Sequence, residues 1–452
     1  MLRTSIPKWI RTCGSACLLA TIPFSASPSG FALIEQSVSG MGNAHAGAAA
    51  GLDDGSTIFF NAAGLTRLDG TRITAGVHGV FPTAEFSGRA NYNADLLPPP
   101  LGGAPIRGGD GGDAGETGFV PNLYYSQELT DKLWYGFGVN SPFGLVTEYD
   151  DDWVGRYSAI KSDLLTVNIM PSLAYKINDY LSIGGGINAI YADGELTNAI
   201  DFGLLDAIGA LGFPPGALGL TPGGSDGKAK LTGDDWGFGG FGGILLQPTP
   251  STRVGVSYRS KVDLKLDGDV KIKSPLGNSK ENATLKVDLP STLSISALQK
   301  IGNRWSVMAD VSFTEWSELD ELVVRGESGV LSITTLDWNN TMRYAIGTTY
   351  RYSDAWTFRG GLAYDEAPVP NSQKRTPRIP DNDRKWVTVG VGYRYSKRLS
   401  FDLAYAHLFA NDTNIKSTDS HTPPLQEGFH RLDGEYELDV NMFSASVNWK
   451  FQ

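Results

Sequence analysis

From Arg253 to Leu266 the chain alternates, residue by residue, between two kinds of side chain. Val254, Val256, Tyr258, Ser260, Val262, Leu264 and Leu266 fall on one face of an extended strand. Arg253, Gly255, Ser257, Arg259, Lys261, Asp263 and Lys265 fall on the other. The last segment repeats the pattern, with Phe443, Ala445, Val447, Trp449 and Phe451 against Met442, Ser444, Ser446, Asn448 and Lys450. Phe401, Leu403, Tyr405 and Phe409 oppose Ser400, Asp402 and Ala404 in the same way. A period of two dictates strands. A strand with one greasy and one charged face suits either a soluble sandwich or the boundary between lipid and a polar lumen.

The connections separate these two architectures. Fourteen strands are predicted, at about 72–88, 119–129, 133–147, 163–177, 180–197, 234–248, 252–273, 283–300, 303–317, 340–352, 355–366, 384–396, 399–411 and 436–452. Thr130-Asp131-Lys132, Asn178-Asp179, Pro250 to Thr252, Gly302-Asn303, Ser353-Asp354 and Lys397-Arg398 mark tight turns. Between these turns lie long connections near 89–118, 198–233, 318–339, 367–383 and 412–435. Short turns at one end, long loops at the other and an even strand count are the plan of an all-β, closed antiparallel transmembrane barrel. Closure follows from the solvent, because hydrocarbon offers no partner to an unpaired backbone group.

Composition agrees. Hydrophobic residues make up 41% of the chain, and after the first thirty residues no apolar run reaches the roughly 20 residues of a membrane helix. Tyr (18), Phe (20) and Trp (10) are plentiful enough to supply aromatic girdles. Residues 1–29 read as a signal peptide: Arg3, Lys8 and Arg11, a short apolar stretch from Cys13 to Ile22, then small residues from Ser25 to Ser29. Its removal takes both cysteines, Cys13 and Cys17, and moves the formal net charge from −11 to −14. An acidic surface repels nucleic acid, which excludes that partner.

Residues 30–71 do not alternate. Gly40, Gly42, Gly47, Gly51 and Gly55 are interspersed with small and polar residues, and Asp53, Asp54, Phe59, Phe60 and Asn61 make the segment too varied for a linker. Such a segment cannot span a membrane but fits inside a lumen as a plug. The expected organisation is a signal peptide at 1–29, a plug at 30–71 and a barrel at 72–452.

Gly30-Phe31-Ala32-Leu33, the Ser-Gly-x-Gly-x-Ala stretch from Ser39 to Ala44, Gly144-Leu145-Val146-Thr147-Glu148, Trp236-Gly237-Phe238-Gly239 and Tyr258-Arg259-Ser260 stand in one order along the chain. Ala345-Ile346-Gly347-Thr348-Thr349-Tyr350, Trp356-Thr357-Phe358-Arg359, Ala367-Pro368-Val369-Pro370, Ile379-Pro380-Asp381 and Asp383-Arg384 follow. In these blocks the chain resembles the FadL family of outer-membrane long-chain fatty acid transporters. The resemblance implies a monomeric fourteen-stranded barrel closed by an amino-terminal hatch, with a kinked third strand opening the wall sideways to lipid. It also implies that Phe31 reaches into the substrate pocket and that Asn61-Ala62-Ala63 stands in place of an Asn-Pro-Ala motif, without its proline. The residues themselves predict the kink: Asn140-Ser141-Pro142-Phe143-Gly144 falls in strand 3, where proline cannot donate to the ladder and glycine permits a bulge.

The 198–233 loop carries Phe202, Leu204, Leu205, Ile208 and Leu211, with Leu204, Ile208 and Leu211 at helical spacing. On an outward loop this is either a capture patch or a self-packed lid. Arg343, Arg359, Arg384 and Arg394 are expected to brace a polar lumen rather than bind a carboxylate. Gly237 to Gly242 matches the dinucleotide fingerprint as a string but opens no helix. Gly108 to Asp113 is one copy of a calcium repeat that acts only in stacks, and reads as a flexible loop. His45, His78, His407, His421 and His430 lack metal spacing. A phospholipase would need Ser444 or Ser446 beside His407. The expectation is therefore passive passage of long-chain fatty acids, with no catalytic residue, metal or cofactor. Aromatic hydrocarbons are the alternative cargo, and a general porin or a phospholipase the alternative functions.

Overall fold

The computed structural model describes residues 30–422 and 427–451, so residues 1–29, read above as a signal peptide, lie outside the described residues. Fourteen long strands run antiparallel: β1 (Thr71–Tyr92), β2 (Gly118–Glu128), β3 (Leu133–Asn140, resuming at Gly144–Glu148), β4 (Lys161–Lys176), β5 (Leu181–Asp201), β6 (Asp226–Thr249) and β7 (Thr252–Arg259 and Val262–Lys273). They continue with β8 (Ser279–Leu289 and Thr292–Ile301), β9 (Trp305–Thr314), β10 (Thr341–Arg351), β11 (Trp356–Asp365), β12 (Arg384–Arg394), β13 (Leu399–Ala410) and β14 (His430–Lys450). β14 returns to β1 along a register from Arg72↔Lys450 to Tyr92↔His430, which closes the barrel.

Burial is inverted relative to a water-soluble protein. On β9, Trp305, Val307 and Val311 are exposed while Met308, Asp310 and Ser312 are buried. Val77, Leu123, Ile187, Ile346, Val389 and Phe443 are likewise exposed, whereas His78, Asn122, Asn188, Thr388 and Ser444 are buried. A greasy exterior around a polar interior places the exterior in hydrocarbon. Paired rings near the short turns, Trp305 with Tyr350 at 4.5 Å and Trp356 with Tyr393 at 4.6 Å, form part of one girdle. Thr130, Asn178, Ser353 and Ser396 close four of those turns by accepting backbone N–H groups two or three residues on.

Residues 31–68 pack against the inner faces of strands on every side. Tyr124 on β2 donates to the Gln36 carbonyl (3.0 Å), Ala49 N–H donates to Ser296 on β8 (3.0 Å), and Arg343 on β10 donates to the Ala44 carbonyl (2.8 Å). Wall glycines let the backbones touch. A Cβ at Gly255 would lie 1.8 Å from the Ala49 carbonyl, and one at Gly361 would lie 2.2 Å from the carbonyl carbon of Asn43. Beyond residues 31–33 the segment folds into short turns, Val38–Met41, Ala48–Ala50, Thr57–Phe60 and Ala62–Arg67.

Several loop expectations change. The 198–233 connection shrinks to 202–225, since β5 and β6 pair up to Asp201↔Asp226. The 318–339 connection contains a hairpin, Glu321–Gly326 with Gly329–Thr335, whose first strand pairs with β8. The 412–435 connection contains Thr413–Thr418, which pairs with β14. Residues 375–381 fold inward, burying Arg375, Arg378, Ile379 and Asp381. Gly108 to Asp113 is no free loop. Val154 N–H donates to the Gly109 carbonyl (2.9 Å), Asp150 N–H donates to Gly111 (3.1 Å), and Gly111 packs on Tyr149 and Trp153.

Candidate functional site

The site is built where the wall is broken. β3 stops at Asn140 and resumes at Gly144, and both halves still pair with β4. On its other side β3 meets β2 only from Leu123↔Val139 to Glu128↔Trp134. Beyond that point its backbone takes partners from elsewhere. Leu33 N–H donates to the Pro142 carbonyl (2.7 Å), Gly144 N–H to the Phe31 carbonyl (2.9 Å), and Glu148 N–H to the Ala114 carbonyl (3.2 Å). Residues 144–147 are buried on both faces, which ends the alternation that a lipid-facing strand requires. The upper half of β3 has therefore turned inward. Asn140 donates to the Met170 sulfur (3.0 Å) and accepts from Asn168 (3.2 Å), while Ser141 and Phe143 are buried beside it.

Phe31 lies against this break, 3% exposed. Its ring is 5.9 Å from Phe143, 5.0 Å from Trp316 and 6.0 Å from Trp338. Gly30 precedes it at φ +62°, where a Cβ would strike Trp316, and its N–H donates to Asp381 at 2.6 Å. These rings belong to one apolar cluster that also holds Leu145, Leu231, Val270 and Leu285.

The cluster borders two cavities. The outer one, about 440 Å³, is lined by Leu196, Leu204, Leu205, Leu231, Val270 and Ile272, with Leu322, Val324 and Leu331 of the hairpin opposite. Leu204 and Leu205 reach it from the helix Phe202–Ala207, whose start Asp201 caps by accepting Leu204 N–H (2.8 Å). The other loop residues part company: Phe202 packs over Gly227, Ile208 leans on the cluster around Trp153, and Leu211 lines neither cavity. Two of the five expected residues therefore face the groove.

The inner cavity, about 140 Å³, is bounded by Ala32, Leu33, Phe59, Phe60, Asn61 and Ala62 on one side and by Pro142, Phe143 and Trp316 on another. Asn61 accepts Ala63 N–H (3.0 Å), capping Ala62–Arg67, and donates to the carbonyls of Ala49 (2.7 Å) and Ile244 (3.1 Å). Ala62 and Ala63 are fully buried against Gly184. The turn thus forms without the motif's proline.

Four arginines were expected to brace the lumen. Arg359 pairs with Asp402 (2.7 Å) and Arg384 pairs with Asp381, whereas Arg394 is exposed at the short-turn end. Arg343 lines the inner cavity with Nε and Nη1 unpartnered. Arg259, given no role from the sequence, also lines that cavity. It donates to Asn188 (2.8 Å) and to the Phe59 carbonyl (2.7 Å), with its guanidinium 4.2 Å from the Phe59 ring. Trp316 and Trp338, placed one at each end of a predicted long loop, were the available signal for the aromatic partition.

His407 does not meet Ser444. It bonds to Asn441 (3.0 Å), and Ser444 faces His78 Nδ1 (2.8 Å) instead. His78 Nε2 lies 3.0 Å from Asn122 Nδ2 on its other side. All three side chains are buried inside the barrel, under Met41. Among the described residues no group of three or more His, Cys, Asp or Glu is arranged to hold a metal ion.

The model of the family described as outer membrane protein transport protein (OMPP1/FadL/TodX) matches residues 18–451. The long-chain fatty acid transport protein of Escherichia coli is 31% identical over 464 residues, covering 96% of this chain and 97% of that protein. A putative outer membrane protein of Neisseria meningitidis serogroup B is 32% identical over 445 residues, covering 92% and 93%. The crystal structure of a Pseudomonas aeruginosa FadL homologue superposes with a TM-score of 0.84 at 26% identity, over 94% of this chain and 100% of that one. The Ralstonia pickettii toluene transporter TbuX shares the fold, with a TM-score of 0.64 at 21% identity over 94% and 99%. A greasy-walled closed barrel that matches this family along nearly its whole length belongs to it: the chain is a member of the OMPP1/FadL/TodX family of outer membrane transport proteins.

Proposed function

We propose that this chain carries hydrophobic small molecules, long-chain fatty acids foremost, across the outer membrane by passive capture and lateral release. The lipophile adsorbs in the outer groove at Leu204 and Leu205, passes the Phe31 partition into the inner cavity, and leaves to lipid through the wall at Ser141-Pro142-Phe143. Residues 30–71 act as the hatch, residues 72–452 as the barrel, and one chain suffices. The supporting observation is continuity: one apolar cluster borders both cavities and ends at the broken strand. Each methylene moved from water into such a path contributes roughly 0.8 kcal/mol, so capture strengthens with chain length and no coupled energy source is needed. No bond is made or broken, and no cofactor takes part.

The test is uptake of labelled oleate, with toluene in parallel, by cells lacking their own transporter and expressing this chain. Oleate uptake is expected. Toluene uptake alone would reassign the cargo to aromatic hydrocarbons. A large steady conductance in planar bilayers would make the protein a porin, and fatty acid released from phospholipid vesicles would make it a hydrolase. Leu204→Asp with Leu205→Asp is expected to slow uptake most at low oleate concentration, where capture limits the rate.

A further inference from the structure

Beneath the leading segment, at the short-turn end that faces the periplasm, the barrel holds a further cavity of about 480 Å³. Gly47, Gly51, Leu52, Asp53 and Asp54 form its roof, and Asp354 with Ser396 to Leu399 forms part of its rim. Among the described residues nine cations and five carboxylates line it, although the whole chain carries a net charge of −11. Asp69 pairs with Arg72 and Lys450, and Asp402 pairs with Arg359. Among the described residues the other six cations, Arg253, Lys300, Arg351, Arg394, Lys397 and Arg398, form no ion pair. Arg253 is 4% exposed; its Nη1 donates to the Gly51 carbonyl (3.0 Å) and its Nε has no partner. Arginines are almost never buried without a paired group. Asp53 feels Arg253, Arg67, Lys300 and Arg359, yet it is ion-paired to none of them.

The six unpaired cations stand on β7, β8, β10, β12 and the turn after β12. Neighbouring strands lie about 4.8 Å apart, so Lys300 on β8 and Arg394 on β12, four strand steps apart, are separated by roughly 19 Å of wall. One phosphate cannot meet cations so widely spread. An extended peptide can, since about six residues cover that length. We propose that this vestibule is a docking site for an acidic, extended segment of a periplasmic protein. Arg253 meets it beneath the leading segment, and the other five cations meet it around the rim. Arginine forks grip carboxylates with two donors at once, and a mouth of excess positive charge draws an acidic partner to it. The acidic remainder of the surface repels the same segment, which confines it to the mouth. Once docked, its carboxylates stand under residues 51–54, where Asp53 faces the same cations. The inference is independent of the transport reading, because it needs only the closed barrel and the segment inside it.

The test uses the full chain in phosphatidylcholine nanodiscs, with fluorescein-labelled octaglutamate as probe and octaglutamine as its uncharged control. Octaglutamate is expected to bind and octaglutamine to stay free. Affinity should fall about tenfold as added salt shortens the Debye length from about 30 Å to about 8 Å. Arg351→Glu with Arg398→Glu should weaken binding by about tenfold or more. If that variant does not fold, Arg351→Gln with Arg398→Gln should weaken it several-fold. Asp53→Asn, which removes a carboxylate facing the same cations, should tighten binding several-fold. Lys132→Glu with Lys176→Glu reverses two charges beside a turn outside the vestibule and should leave affinity unchanged. Failure of octaglutamate to bind at low salt, equal binding of octaglutamine, or an equal loss in the Lys132 and Lys176 variant overturns the docking site. Displacement of the peptide by equimolar inorganic pyrophosphate would also overturn it, by marking a pocket for small anions. So would its displacement when phosphatidylglycerol replaces the neutral lipid, since the cations would then serve the membrane surface.

Discussion

Two joints in the same wall behave differently. At the seam between β14 and β1 the ladder runs unbroken from Arg72↔Lys450 to Tyr92↔His430, including Pro82 opposite Val440. Between β2 and β3 it ends at Leu123↔Val139, and β2 from Gly118 to Asn122 keeps only β1 as its neighbour. Proline alone does not explain the difference, since β1 carries one without breaking. At the second joint three β3 backbone groups have other partners: the Leu33 N–H, the Phe31 carbonyl and the Ala114 carbonyl. In hydrocarbon an unpaired backbone group is expensive enough to forbid an opening, so an opening exists only where another part of the chain fills in. Residues 31–33 thus stand at the break where a strand neighbour would pair.

The strongest way to break this comparison is to make the second joint permanent. Ala32 and Phe143 face each other in an antiparallel bridge, and the two native cysteines, Cys13 and Cys17, lie before residue 30. Ala32→Cys with Phe143→Cys places two thiols at opposed positions, where Cβ atoms lie about 4.5–5.5 Å apart. Oxidation is expected to cut oleate uptake by roughly tenfold or more, with recovery on reduction, if each passage needs the hatch to leave β3. A corresponding pair across the seam, such as Val77→Cys with Ala445→Cys, should leave uptake unaffected in either redox state. Uptake that continues through the oxidised hatch pair would refute the moving segment.

Next in size is the packing that seats the hatch. Phe31→Ala removes a ring held by Trp316, Trp338 and Phe143, and core truncations of this kind cost about 3–5 kcal/mol. The loss should appear as faster amide exchange at Leu33 and Gly144, whose N–H groups bridge hatch and strand, while seam amides on β1 stay protected. Equal loosening of both joints would mean that the hatch braces the whole barrel and is not a separable unit.

The pH response should also separate the joints. Glu35 titrates near 7 in the folded chain against an ordinary value of 4.5, so the native state holds the proton more tightly than the unfolded one. Hatch stability is full below about 4.5, falls as pH rises to about 7, and is level above, by at most about 3 kcal/mol. Exchange at Leu33, corrected for its intrinsic pH dependence, should follow that window in the wild type and lose it in Glu35→Gln. The seam should show no such step.

The seam was legible in the sequence and the break only half so. Strict alternation from Met442 to Phe451 fixes which face of β14 meets lipid, and the tight turns fix its neighbour. Pro142 beside Gly144 announced an interruption, but nothing local states that Leu33 would supply the missing partner. That contact spans more than a hundred residues and leaves no periodicity. Arg343 and Arg359 look alike as strand cations; only the fold shows that Asp402 sits on Arg359 while Arg343 borders a cavity and keeps Nε and Nη1 without partners. Likewise, the greasy 198–233 loop gave five candidates, and helix geometry aimed Leu204 and Leu205 into the groove.

The smallest effect concerns the missing proline. Ala62 is the first residue of the helical turn Ala62–Arg67, and the preceding Asn61 is extended at φ −162° and ψ 104°, a conformation that a following proline accepts. Proline suits this position because its fixed φ fits the turn and the lost N–H would have no helical partner. Ala62→Pro should therefore stabilise the seated hatch by about 0.4–1 kcal/mol, chiefly by narrowing the unfolded ensemble. Amide exchange at Ala63 and Gly64, whose N–H groups bond to Asn61, should slow about two- to fivefold while exchange along β1 and β14 stays unchanged. If the gain instead spread to the seam, or the variant loosened the turn, Asn61 would not be acting as the cap that replaces the proline, and the hatch would be held by its wall contacts alone.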